Sequence, residues 1–62
     1  MKLWIARDKN GELYLYDAIP EEHEEYFVEH SGYRSFPLDD ELFPEVTFEN
    51  SPHKIRLELV KE

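Results

Sequence analysis

His23 and His30 stand seven residues apart, among Glu21, Glu22, Glu24, Glu25 and Glu29. On a helix the two imidazoles would share a face with carboxylates beside them, a donor set suited to Zn²⁺ or Ni²⁺. The spacing is not that of a His-Glu-x-x-His site, and histidines in so acidic a stretch are expected at the solvent-exposed surface, so no metal is expected. Asp39, Asp40 and Glu41 form a carboxylate cluster with neither the spacing nor the loop glycine of a calcium-binding loop. They read instead as the cap of a short helical turn. Ser31, Ser35, Thr47 and Ser51 lie in no Gly-x-Ser-x-Gly context, and the chain has no cysteine. General acid–base work by carboxylates needs a pocket that shifts their pKa, which a core this small rarely encloses. The expectation is a non-enzymatic protein without a cofactor.

Trp4, Tyr14 and Tyr16 are the other chemically capable group. On one face of a hairpin they would offer a stacking platform for a sugar ring or a protein partner. Alternatively they form a second buried layer, covered by Tyr26, Phe27, Phe36, Phe43 and Phe48. Nine aromatics in 62 residues must mostly pack together for the chain to stay soluble. Any aromatic surface left over would serve an interface with a partner or a second copy.

Charge narrows the partners. The chain carries 15 acidic residues against 7 Lys and Arg, for a net charge of −8. Both ends are mildly basic, whereas residues 10–53 hold 12 acids and Arg34 alone among Lys and Arg. Such an acidic belt disfavours direct contact with nucleic acid or an anionic membrane and favours basic protein surfaces. Sixty-two residues allow a single domain, residues 1–62, with one compact core, help from self-association, or both. No apolar run approaches the roughly 18–20 residues of a membrane span, and Arg7 and Asp8 interrupt the first apolar stretch too early for a signal peptide. A cytoplasmic location is expected.

The elements that must position these groups begin with a hairpin. Lys2–Arg7 and Glu12–Asp17 alternate around Asp8-Lys-Asn-Gly11, where Asn and Gly tolerate positive φ. A two-residue Asn-Gly loop would pair Ile5 with Tyr16. A three-residue Lys9-Asn10-Gly11 loop, with Gly11 as a bulge, pairs Ile5 with Leu15 and Trp4 with Tyr16. Only the second gathers Leu3, Ile5, Leu13 and Leu15 on one face and Trp4, Tyr14 and Tyr16 on the other, so it is preferred. Lys54–Leu59 alternates as a half-buried strand, adding Ile55, Leu57 and Leu59 to the aliphatic face. Residues 20–32 carry helix punctuation, but Tyr26-Phe27-Val28 is strand material. Ser31-Gly32 before Tyr33–Phe36 reads as the turn of a second hairpin. Asp39–Phe43 before Pro44 reads as a capped helical turn, and Asn50-Ser51-Pro52 as a turn into the last strand.

Two segments carry a resemblance: Ile5-Ala-Arg-Asp-Lys-Asn-Gly11 with Leu13-Tyr-Leu-Tyr16, and Leu42-Phe-Pro-Glu-Val-Thr-Phe-Glu-Asn-Ser-Pro52. They resemble a group of short uncharacterised proteins of gut-anaerobe bacteria and their phages and mobile elements. The resemblance covers under half the chain and leaves out the acidic middle. It implies an accessory protein of phage or mobile-element origin and assigns no site.

The expected fold is mainly β: a small antiparallel sheet of four or five strands with one short helical turn near 39–43. The alternative is α+β with a helix at about 20–30. The expected function is an interaction domain that binds a protein partner with a basic surface, through Glu21, Glu22, Glu24 and Glu25 with Trp4, Tyr14 and Tyr16. The alternatives are a self-associating module, such as a homodimer closed edge to edge by an unpaired strand, and an acidic mimic of nucleic acid that occupies a DNA-binding protein.

Overall fold

The structure is a computed structural model that describes residues 2–56. Leu57 and Leu59, expected in the core, lie outside the described residues. The strands are β1 (Lys2–Arg7), β2 (Leu13–Tyr16), β3 (Glu21–Glu22), β4 (Phe27–Val28), β5 (Ser35–Leu38) and β6 (His53–Arg56). One four-stranded sheet has the order β5-β2-β1-β6, and β3 and β4 form a separate two-stranded ladder. Every pairing is antiparallel.

The first hairpin adopts the bulged register. Trp4 pairs with Tyr16 and Ile5 with Leu15. The Asp8 amide donates to the Glu12 carbonyl at 2.8 Å, and the Gly11 amide donates to the Asp8 carbonyl at 2.9 Å. Gly11 takes φ of 98°, a backbone state costly for residues with a Cβ. Asn10 braces the loop, its side-chain oxygen accepting from the Glu12 amide at 3.0 Å. This register separates the aliphatic side chains from the aromatic ones, and β6 extends the aliphatic face by setting Ile55 opposite Leu3.

Each face of the sheet is then packed by a different segment. On the aliphatic face Ile5, Leu13 and Val46 are buried together, with Leu15, Leu38 and Ile55 packed against them. On the aromatic face Ala6, Tyr16 and Phe27 are buried, with Trp4, Tyr14 and Phe48 against them. The aromatic trio is therefore a packed layer, as the second of its two readings expects. The cover is narrower than that reading expects: Phe27 and Phe48 supply it, whereas Tyr26, Phe36 and Phe43 remain 42–47% exposed.

Two local expectations are corrected. Tyr26–Val28 and Tyr33–Phe36 do contribute strands, and Ser31-Gly32 is a turn, with Gly32 at φ of 88°. The two strands do not pair with each other. β4 pairs back onto β3, setting Glu22 opposite Phe27, while β5 crosses to β2 and sets Leu38 opposite Leu13. Burial of Phe27 against Tyr16 and of Leu38 against the Leu13 cluster accounts for the two destinations. The α+β alternative is not seen, because residues 21–28 form the β3–β4 ladder.

The helical turn near 39–43 is also not seen. Asp39 does accept a backbone amide, from Glu41 at 2.9 Å, and its carbonyl accepts from Leu42 at 3.0 Å, but this closes only a reverse turn. A helix would need the residue-44 amide to serve the Asp40 carbonyl, and Pro44 has none to give. Phe43 instead takes a positive φ of 48°, and the chain doubles back so that the Val46 amide reaches the Phe43 carbonyl at 2.9 Å.

Candidate protein-interaction surface

The acidic segment is displayed on a tethered hairpin. Three hydrogen bonds hang the β3–β4 ladder from the first hairpin. The Lys9 amide donates to the Glu25 carbonyl at 2.8 Å, and the Phe27 amide donates to the Asp8 carboxylate at 2.9 Å. The buried Tyr16 hydroxyl donates to the Phe27 carbonyl at 3.2 Å. Phe27 anchors the ladder from below, its ring 5.6 Å from that of Phe48. With the backbone held this way, Glu21, Glu22, Glu24 and Glu25 all point their charge into solvent.

Of the seven residues singled out for partner contact, these four glutamates are exposed. Trp4 and Tyr14 are half-buried in the aromatic layer, and Tyr16 is enclosed at 1% exposure, so it supports the surface from inside and offers none of its own. The residues that accompany the glutamates at the surface are others. Tyr26, in the same hairpin, stacks on His23 with ring centroids 5.0 Å apart and planes 3° from parallel. Ile19 and Tyr33, flanking the ladder in sequence, are 58% and 52% exposed. His30 lies 3.9 Å from Glu21 and against the Tyr33 ring. Among the described residues no three His, Asp or Glu side chains converge as metal ligands.

Electrostatics mark Asp8 and the two tyrosines under the ladder. Burial raises the Asp8 carboxyl above its usual range and nearby Glu12 adds to the rise, while the bond from the Phe27 amide opposes it. Burial also raises the phenols of Tyr14 and Tyr16, reinforced for Tyr14 by Glu12 and for Tyr16 by Asp8 and Glu29.

A second functional group escaped the reading of the sequence. Arg7 crosses to the loop after β5 and spends all its side-chain donors on main-chain carbonyls. Nε reaches Val46 at 2.6 Å; one terminal nitrogen reaches Gly11 and Asp40, and the other Leu42 and Phe43. The signal was present: the alternation that places Leu3 and Ile5 on the aliphatic face places the Arg7 cation there too. The carboxylates of Asp39, Asp40 and Glu41 meanwhile form no ligand cluster, and what the structure uses there is chiefly backbone oxygen.

Among the described residues no helix is long and apolar enough to cross a membrane. Compared with known proteins, the chain matches no family model, and no curated protein or solved structure is significantly similar to it.

Proposed function

We propose that this protein is a small, non-enzymatic interaction domain of the cytoplasm that binds a basic protein partner through the β3–β4 hairpin. One observation carries the reading: four exposed glutamates ride on a two-stranded ladder whose backbone is tied to the first hairpin at its turn, through Glu25, and on β4, through Phe27. A fixed array of like charges loses little entropy on meeting its complement and steers a basic surface at long range. Tyr26, exposed in the same hairpin, supplies the kind of aromatic side chain that anchors an interface once charge has brought the partner close. An accessory role of mobile-element origin, the expectation raised by Ile5–Tyr16 and Leu42–Pro52, is part of this proposal.

The test is capture of partners from a host lysate at low salt, followed by stepwise salt elution and mass spectrometry. The same capture is run with Glu21, Glu22, Glu24 and Glu25 changed to Gln. A basic protein bound by the parent, released by moderate salt and lost with the variant supports the reading. Binding that survives neutralisation of all four glutamates overturns it.

A further inference from the structure

The chain contains two side-chain amides, Asn10 and Asn50, and no glutamine. Asn10 is exposed at the tip of the first hairpin and is followed by Gly11. That pairing has a chemistry of its own. The main-chain nitrogen of the residue after an asparagine can close on the side-chain carbonyl, most readily when that residue has no side chain to crowd the approach. After Asn50 comes Ser51, whose Cβ obstructs the same closure.

We propose that Asn10–Gly11 is a site of spontaneous covalent modification, held in check by the hairpin loop, and that its product unfastens the acidic hairpin. The Gly11 nitrogen gives up its proton and bonds to Cγ of Asn10. The Cγ–Nδ2 bond breaks, and Nδ2 leaves with that proton as ammonia. Water then opens the cyclic imide. Attack at Cγ gives aspartate on an unchanged backbone, whereas attack at the main-chain carbonyl gives isoaspartate, with the chain running through Cβ and Cγ.

The folded loop resists the first step at both reacting groups. The proton that must leave the Gly11 nitrogen is engaged by the Asp8 carbonyl at 2.9 Å. Oδ1 of Asn10 accepts from the Glu12 amide at 3.0 Å, and Nδ2 donates to the Glu12 carboxylate at 2.7 Å. The other Glu12 oxygen accepts from the Tyr14 hydroxyl at 3.2 Å, which steadies the clamp. Closure therefore proceeds through the opened loop, and a hairpin tip is among the parts of a fold that open most easily.

Position turns the product into a release. Asp8 and Lys9, immediately before Asn10, carry two of the three bonds that tether the β3–β4 ladder: the Lys9 amide donates to the Glu25 carbonyl, and the Asp8 carboxylate accepts from the Phe27 amide. Isoaspartate lengthens the backbone path inside this three-residue loop by one C–C bond, about 1.5 Å. The turn from Asp8 to Gly11 no longer closes in its present form, and Asp8 and Lys9 are drawn out of line with Phe27 and Glu25.

The test ages the full chain in mildly alkaline buffer, folded and in urea, and follows it by intact mass and by fragmentation of the peptide spanning residue 10. Residue 10 is expected to exchange its amide for a carboxylate, with isoaspartate the larger product, while residue 50 keeps its amide. Conversion in urea is expected to be about fivefold faster or more, the factor that one net hydrogen bond is worth. Amide exchange of the converted chain should show the Lys9 and Phe27 protons released and the four-stranded sheet still protected. Asn10→Asp, which brings the same charge on a normal backbone, should keep both protons protected. The proposal is overturned by no conversion at residue 10 in either state, or by equal rates in the two. It is equally overturned if conversion leaves Lys9 and Phe27 protected, or if Asn10→Asp releases them. None of these readouts involves a partner, so binding at the glutamates can fail while this inference stands.

Discussion

The Nε of Arg7 donates to the carbonyl oxygen of Val46 at 2.6 Å and so fixes the loop that carries Val46 onto Ile5 and Leu13. The rest of the guanidinium spans the loop from Asp40 to Phe43. A lysine in its place has one nitrogen on a flexible stem and cannot reach both ends. Arg7→Lys is expected to cost about 2–3 kcal/mol, since charge-assisted bonds are lost and carbonyls are left unpaired. In urea unfolding the midpoint should fall, and Val46 should lose its protection from amide exchange. An unchanged midpoint would mean that the loop holds itself.

Gly11 isolates backbone strain from crowding, because a Cβ built there meets nothing within 4 Å. L-alanine at this position should cost about 1–2 kcal/mol, which for a domain of this size lowers the melting temperature by roughly 5–15 °C. D-alanine, introduced by chemical synthesis, accepts positive φ and should match glycine or exceed it. Equal melting temperatures for the two enantiomers would contradict the bulged loop.

Asp8 ties the acidic hairpin to the first one at the expense of its own ionisation. Its folded pKa is raised, so the carboxyl holds its proton more tightly in the folded chain than in the unfolded one. The stability this lends is complete below the unfolded value of 3.8 and is lost as pH rises through the folded value. Asp8→Asn keeps an oxygen for the Phe27 amide and loses the titration. It should be as stable as the parent or more so at neutral pH, and gain on the parent as pH rises from mild acid. Asp8→Ala leaves that amide without an acceptor and should cost about 1–2 kcal/mol. Melting curves for both variants between acid and neutral pH separate the two effects.

Tyr16 predicts the alkaline limit. Burial raises its phenol above the ordinary 10.0, so folding favours the protonated form. Stability is level up to about pH 10 and declines above it, where unfolded tyrosine ionises and folded Tyr16 resists. Tyr16→Phe should flatten that decline while costing about 1 kcal/mol at neutral pH for the lost bond to the Phe27 carbonyl. Spectrophotometric titration near 295 nm (the phenolate band) should show one fewer late-titrating tyrosine.

The parts of the fold legible in the sequence were those settled over a few residues. Gly11 and the segregation of Leu3, Ile5, Leu13 and Leu15 from Trp4, Tyr14 and Tyr16 leave one register that sorts both sets, and that register forms. The partners of Tyr26–Val28 and Tyr33–Phe36 were not legible. A turn at Ser31-Gly32 suggests that they pair, yet Phe27 and Leu38 bury on different clusters, and those contacts are remote in sequence. The Asp39 turn shows the limit of capping signals: the carboxylate accepts an amide as a cap does, while Pro44 withholds the bond that would continue a helix. The glutamates of the candidate site could be read from composition. What holds them in place, through Asp8, Lys9 and Tyr16, required the fold.

β1 occupies the interior of the sheet, between the strand that follows it in sequence and the one that comes after all the other described strands. A growing chain can close the β1–β2 hairpin within microseconds. Until residues 53–56 emerge, however, β1 keeps a bare row of amides and carbonyls along its other side. β1 is therefore made before β2, β3, β4 and β5 but completed only after all of them, and closing β6 onto it joins segments remote in sequence. Assembly is in this sense a zipper whose closing tooth is the strand made after all its neighbours, and the nascent hairpin spends that wait exposed to any strand that would pair with it first.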